Sequence, residues 1–139
     1  MKKYQKEWVK DNPKRKEYRR EWMKKLSPKK KIAYILRNRL KNLLISNPNI
    51  KLIQKNESKY KVAKELLGTS VFNTRKYIEE QFRDGMTWEN HGKWHIDHII
   101  PLSSFDLTNP KEQKKAFHYT NLQPLWAEEN LRKGTKLSN

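Results

Sequence analysis

The distribution of charge constrains this chain more than any other feature. Residues 1–64 hold 22 Lys and Arg against five Asp and Glu, whereas residues 65–139 hold ten of each. The whole formal charge of +17 on this chain of 139 residues therefore lies in its first part. Such a stretch repels itself, and with a mean hydropathy of −1.13 over the chain it has little apolar surface from which to build a core. It predicts that part of the chain depends on a partner for its order. A polyanion is the partner this pattern favours, because counterions leave when a phosphate backbone is neutralised. A solvated face is the plainer alternative, and an anionic membrane fits less well because few apolar residues are available to insert.

Several classes fall away on composition. No apolar run approaches the roughly 20 residues needed to cross a bilayer, and the opening Met-Lys-Lys-Tyr-Gln-Lys lacks the apolar stretch of a secretory signal. There is no Cys, hence no disulfide frame, thiolate nucleophile or Cys-based zinc knuckle. The expectation is an intracellular protein with no membrane partner, built as one small domain with an extension.

Along the chain, Tyr4-Gln-Lys-Glu7-Trp8 is echoed by Tyr18-Arg-Arg-Glu21-Trp22 fourteen positions later. Each copy sets Tyr and Trp on one face of a helix, for either a helix–helix seam or contact with bases. Asn12-Pro13 and Ser27-Pro28 read as helix starts, which predicts helices over 2–11, 13–26 and 28–45. In the third helix Ile32, Ile35, Leu36, Leu40, Leu43 and Leu44 form the apolar side, and Arg37, Arg39 and Lys41 form a basic face suited to phosphate. Residues 46–58 read as a polar connection. A short helix near 59–67 stops at Gly68, and Ser70 caps another with Val71, Arg75, Ile78 and Phe82 on one stripe. Asp84-Gly85 is a turn.

From Met86 the texture changes. His95-Ile96-Asp97-His98-Ile99-Ile100 and Leu122-Gln123-Pro124-Leu125-Trp126 predict two short strands, joined by a long connection with a helical turn at 111–117. Long connections inside compact domains are usually functional. Ala127 to Lys133 then form a helix closed by Gly134. Trp88, Trp94 and Trp126 are assigned to a small core with Ile99, Leu122, Leu125 and Leu131. The fold class is α+β, mostly helical, with a basic helical extension over 1–64 and a second module over 65–139.

Chemistry points to the strand end. A strand sets His95 and Asp97 on one face and His98 on the other. Asp97 can bind a cation, and His98 can take a proton near neutral pH. By composition alone, a polar strand end with a hydrogen-bonded His is an equal reading.

Three ordered blocks add to this: Trp94-His-Ile-Asp97-His98-Ile-Ile-Pro101, Phe117-His-Tyr-Thr-Asn121-Leu-Gln-Pro-Leu-Trp126 and Ala127-Glu-Glu-Asn130-Leu-Arg-Lys-Gly134. Together they resemble the HNH endonucleases of the ββα-metal type, most closely the phage and mobile-element members in which the last His of the name is Asn. The likeness is firm over 86–136 and textural in the N-terminal repeats.

The resemblance implies a metal-dependent DNA endonuclease on a ββα-metal (HNH) module. It implies His98 as the general base, Asp97 and Asn130 as metal ligands, and Asn121 as the residue that fixes the loop and hence the imidazole. Two oxygen donors suit a hydrated hard ion, which places Mg²⁺ first, Mn²⁺ second and Zn²⁺ behind them. His95 and His118 are auxiliary candidates, and Arg132 and Lys133 join Arg37, Arg39 and Lys41 as candidate DNA contacts. Family likeness further implies double-stranded DNA as substrate, 5′-phosphate and 3′-hydroxyl products, and an origin in a phage acting inside its bacterial host. One constellation cuts one strand at a time, so nicking is expected unless the protein dimerises or binds twice, and a monomer or weak dimer is the expected state. Two other classes remain open: a nucleic-acid-binding protein with a vestigial module, and an RNase on the same scaffold.

Overall fold

The computed structural model describes residues 14–46, 54–55 and 57–134. The expected helix over 2–11, the Asn12-Pro13 start, the first Tyr/Trp copy and most of the 46–58 connection lie outside them. The protein is α+β and mostly helical. Helices α1 (Arg15–Lys25), α2 (Pro28–Ile45), α3 (Glu57–Leu67) and α4 (Val71–Glu79) precede strand β1 (Trp94–His98). Then come α5 (Pro110–Ala116), strand β2 (Leu122–Trp126) and α6 (Ala127–Lys133), with single 3₁₀ turns at Leu102–Ser104 and Tyr119–Asn121. Among the described residues no helix is long and apolar enough to cross a membrane.

Local chemistry starts the helices. The Ser27 hydroxyl accepts from the Lys30 N–H, Ser70 accepts from Asn73 N–H, and Asn109 accepts from Lys111 N–H. Pro28 and Pro110 occupy the first turns of α2 and α5, where a missing N–H costs nothing. The stop after α3 is Gly68, whose φ of +76° is open to glycine at little cost.

β1 and β2 pair antiparallel with Trp94 opposite Trp126 and His98 opposite Leu122. Helix α6 follows β2 directly and packs back across both strands. The core is aromatic at one end. Phe82, Trp88 and Trp94 meet pairwise at centroid distances of 4.9–5.3 Å, and Trp94 donates its indole N–H to Thr87 O and Asn90 Oδ1. Leu40, Leu43 and Leu44 of α2 belong to the same core as Trp94 and Leu122. Residue 64 lies inside α3.

Four expectations change in detail. Ile35 is 49% exposed because it lies off the line of Ile32, Leu36, Leu40 and Leu44, which are spaced four apart on the buried side of α2. Leu131 is 77% exposed, since α6 turns Asn130 and Lys133 toward the strands instead. Phe82 lies beyond the end of α4, in the turn that follows it. Arg75 is not part of an apolar stripe. Its guanidinium donates to the carbonyls of Leu44 and Ile45 at the end of α2 and lies 4.1 Å over the Trp88 ring. This one side chain thereby satisfies carbonyls that the helix end leaves without partners, and ties α2 to the aromatic core. The second Tyr/Trp copy is divided. Trp22 meets Tyr34 of α2 edge-on at 5.1 Å, while Tyr18 stays exposed.

Candidate metal and active site

The hairpin, α6 and α2 enclose the site. β1 alternates as a strand must, sending His95 and Asp97 toward α6. Asn130 and Lys133 stand three apart on one face of α6 and meet them there. The Asn130 amide and His95 Nδ1 are 3.2 Å apart. With the amide nitrogen donating to His95, the Asn130 oxygen takes no part in this contact. His95 thus acts as a positioning partner for Asn130.

Asp97 is buried and heavily engaged. Gln123 Nε2 donates to Oδ2 at 2.9 Å from the paired position on β2. The Lys133 ammonium lies 3.1 Å from Oδ1 and 3.0 Å from Oδ2, and also donates to the His98 carbonyl at 2.7 Å. Both side chains of this ion pair are about nine-tenths buried, at 10% and 8% exposure.

His98 lies edge-on to Phe117 at 5.2 Å. Its Nε2 is buried with no hydrogen-bond partner among the described residues. Burial is the main cause that lowers its pKa to about 4; Asp97 opposes the shift, and Arg37 and Lys133 add to it. The ring is therefore neutral at pH 7 and able to accept a proton. An orphaned buried nitrogen costs about 1–3 kcal/mol, and such groups are expected where chemistry is done.

Asn121 sits behind the site and holds its loop. Its Oδ1 accepts from the Ile100 N–H at 2.8 Å, and its Nδ2 donates to Ile100 O at 3.1 Å and Ala116 O at 2.9 Å. Its own carbonyl accepts from the Ile99 N–H at 2.9 Å. The segment just past His98 is thereby fixed on both sides.

Two adjoining hollows open here. The smaller, about 200 Å³, is lined by Arg37, Asp97, His98, Asn130 and Lys133 among others. The larger, about 430 Å³, shares Arg37, His98 and Asn130 with it and adds Lys41, His91 and His95. Arg37 and Lys41, four apart on α2, therefore overhang the strand end. Arg39 and Arg132 are exposed and line neither hollow, because their helices turn them outward. His118 also stands apart. Its Nδ1 is 2.7 Å from Thr120 Oγ1 and accepts from the Thr120 N–H, while its ring covers Gly68 and lies beside Tyr119. It is a turn residue. Nothing in the sequence singles out His91 for a role, yet its buried Nε2 also has no hydrogen-bond partner among the described residues, and burial, reinforced by Lys41 and His95, lowers its pKa to about 4.

Among the described residues no three His, Cys, Asp or Glu converge as a ligand group for a metal. One carboxylate and one amide oxygen on the same hollow suit a hard ion that keeps most of its coordination for water or substrate oxygens. The chemistry of the donors fits such a divalent ion, with Lys133 as its competitor for Asp97.

Two proteins of Acanthamoeba polyphaga mimivirus are similar to this chain. "Uncharacterized protein L246" is 38% identical over 109 residues, covering 78% of this chain and 43% of that protein. "Uncharacterized protein L426" is 40% identical over 110 residues, covering 78% of this chain and 48% of that protein. The chain thus spans less than half the length of these relatives. No family model matches it, and no solved structure does.

Proposed function

We propose that this chain is a metal-dependent DNA endonuclease of the HNH kind, with β1, β2 and α6 as its ββα-metal module. The observation that carries the reading is the smaller hollow, whose wall combines the Asp97 carboxylate, the Asn130 amide and His98, under Arg37 of a basic helix. A neutral imidazole whose buried Nε2 has no hydrogen-bond partner among the described residues supports His98 as the group that takes a proton from water. A divalent ion, Mg²⁺ first and Mn²⁺ second, supplies Lewis-acid stabilisation of phosphate oxygens when bound. Asp97 and Asn130 would hold it. Asn121 keeps the loop, and through it the imidazole, in register. Arg37 and Lys41 offer positive charge to the backbone phosphates of a duplex.

The Lys133–Asp97 pair favours a second reading, a DNA-binding protein whose site takes no metal. Supercoiled plasmid incubated with Mg²⁺, Mn²⁺ or EDTA separates the two. The nuclease reading expects open circles with a divalent ion and none with EDTA. Intact plasmid under every condition, with binding retained, favours the second reading, and cleavage confined to an RNA substrate favours an RNase.

A further inference from the structure

Lys133 is the part of the site that a simple metal-and-base scheme leaves unexplained. Its ammonium lies within 3.1 Å of both Asp97 oxygens and 2.7 Å of the His98 carbonyl, and it is 10% exposed. This is a built contact, made across 36 positions by α6 packing on β1. A divalent ion on Asp97 and an ammonium at the same distance cannot both remain, because like charges this close in a partly desolvated hollow repel strongly. Removing Lys133 from its carboxylate in turn strands a buried positive charge that needs another anion. Arg37 lines the same hollow, so an added ion meets two positive groups and one carboxylate. A phosphodiester supplies the missing negative charge.

We propose that Lys133 serves as an internal counter-ion that holds Asp97 until a phosphodiester draws its ammonium away, so that the divalent ion and the phosphodiester bind this site cooperatively. This rests on the nuclease reading in one respect only, that Asp97 is a metal ligand. The coupling is reciprocal by thermodynamic necessity: whatever factor the phosphodiester adds to metal affinity, the metal adds to phosphodiester affinity. Lys133 is thus a positioning residue with two stations, the carboxylate and then the phosphate.

The test is Mn²⁺ binding to the full chain, followed by the loss of the free-ion EPR signal, with no activity measured. Lys133→Met and Lys133→Gln are expected to bind Mn²⁺ on the order of tenfold more tightly than the wild type in the absence of phosphodiester. In the wild type, dimethyl phosphate should tighten Mn²⁺ binding several-fold, and in the two variants it should do so much less. The wild-type measurement needs no substitution and so stands even if the variants melt early. Asp97→Ala is the reference. If it removes Mn²⁺ binding while the Lys133 variants bind no better than wild type and dimethyl phosphate has no effect, the counter-ion role is overturned and the metal site stands. If Asp97→Ala leaves Mn²⁺ binding unchanged, the metal assignment itself fails, and the coupling with it.

Discussion

Asn121 closes both backbone groups of Ile100, accepting from its N–H at 2.8 Å and donating to its carbonyl at 3.1 Å. A side-chain amide can do both at once and still has a second N–H, which reaches Ala116 O at 2.9 Å. Asn121→Ala strands a backbone donor in a half-buried loop and removes partners from two carbonyls, so a loss of about 2–3 kcal/mol is expected. Asn121→Asp replaces two donors with acceptors and should be no better. Urea unfolding measures both, and an Asn121→Ala variant as stable as the wild type would contradict the clamp.

Gly68 and His118 form a second tight relationship. A Cβ on Gly68 would lie 2.6 Å from His118 Nε2, at a φ of +76°. Gly68→Ala is expected to destabilise by roughly 2–3 kcal/mol, part from the left-handed backbone and part from the clash. His118→Ala in the same chain should recover the clash and leave the backbone share. A double-mutant cycle with no coupling between the two would place the ring elsewhere.

His98 makes stability depend on pH. Its folded pKa is about 4, below the roughly 6.5 of an unfolded chain. Between those values the unfolded chain binds more protons, so stability rises with pH across that window and is fully present above it. In EDTA, stability should fall by on the order of 2 kcal/mol from pH 7 to pH 5. The half-buried His91 contributes with the same sign but less, being open to solvent screening. His98→Gln should flatten the dependence over that range, and an unaltered slope would show that the burial argument is wrong.

The grouping of the candidate site residues was legible in the sequence because they come in short ordered blocks whose hairpin and helix bring them together. The structure gathers Asp97, His98 and Asn130 on one hollow and sets Asn121 behind it. Ser27 and Ser70 were equally open to reading, since a cap depends on residues two or three positions away, and Asn109 follows the same local rule. Relationships decided by tertiary packing were not. Nothing near Lys133 in the chain indicates that it reaches Asp97, and nothing near Arg75 indicates that it ends α2. Ile35 and Leu131 look apolar enough to be core, yet α2 and α6 turn other residues to their buried sides. The contact of the His118 ring with Gly68 is likewise a matter of tertiary packing.

The first part of the basic extension, through α1, should separate from the fold. α1 has no buried residue, and the Trp22–Tyr34 edge contact joins it to α2. Deleting residues 1–26 keeps the Ser27 cap and should leave the cooperative unfolding transition nearly unchanged. Duplex affinity at low salt should fall, and the slope of log affinity against log salt should flatten by about 0.9 for each backbone phosphate that is no longer neutralised. An unchanged slope would remove the extension from the DNA-binding surface.

In the proposed reaction His98 carries the proton transfer in a metal-dependent cut of DNA. The most direct measurement is the rate at which supercoiled plasmid becomes open circle in Mg²⁺, for wild type and for His98→Ala at matched, verified folding. The expected result is a slowing of about 10²- to 10⁴-fold in the variant, with plasmid binding retained. A variant that nicks as fast as the wild type would contradict it.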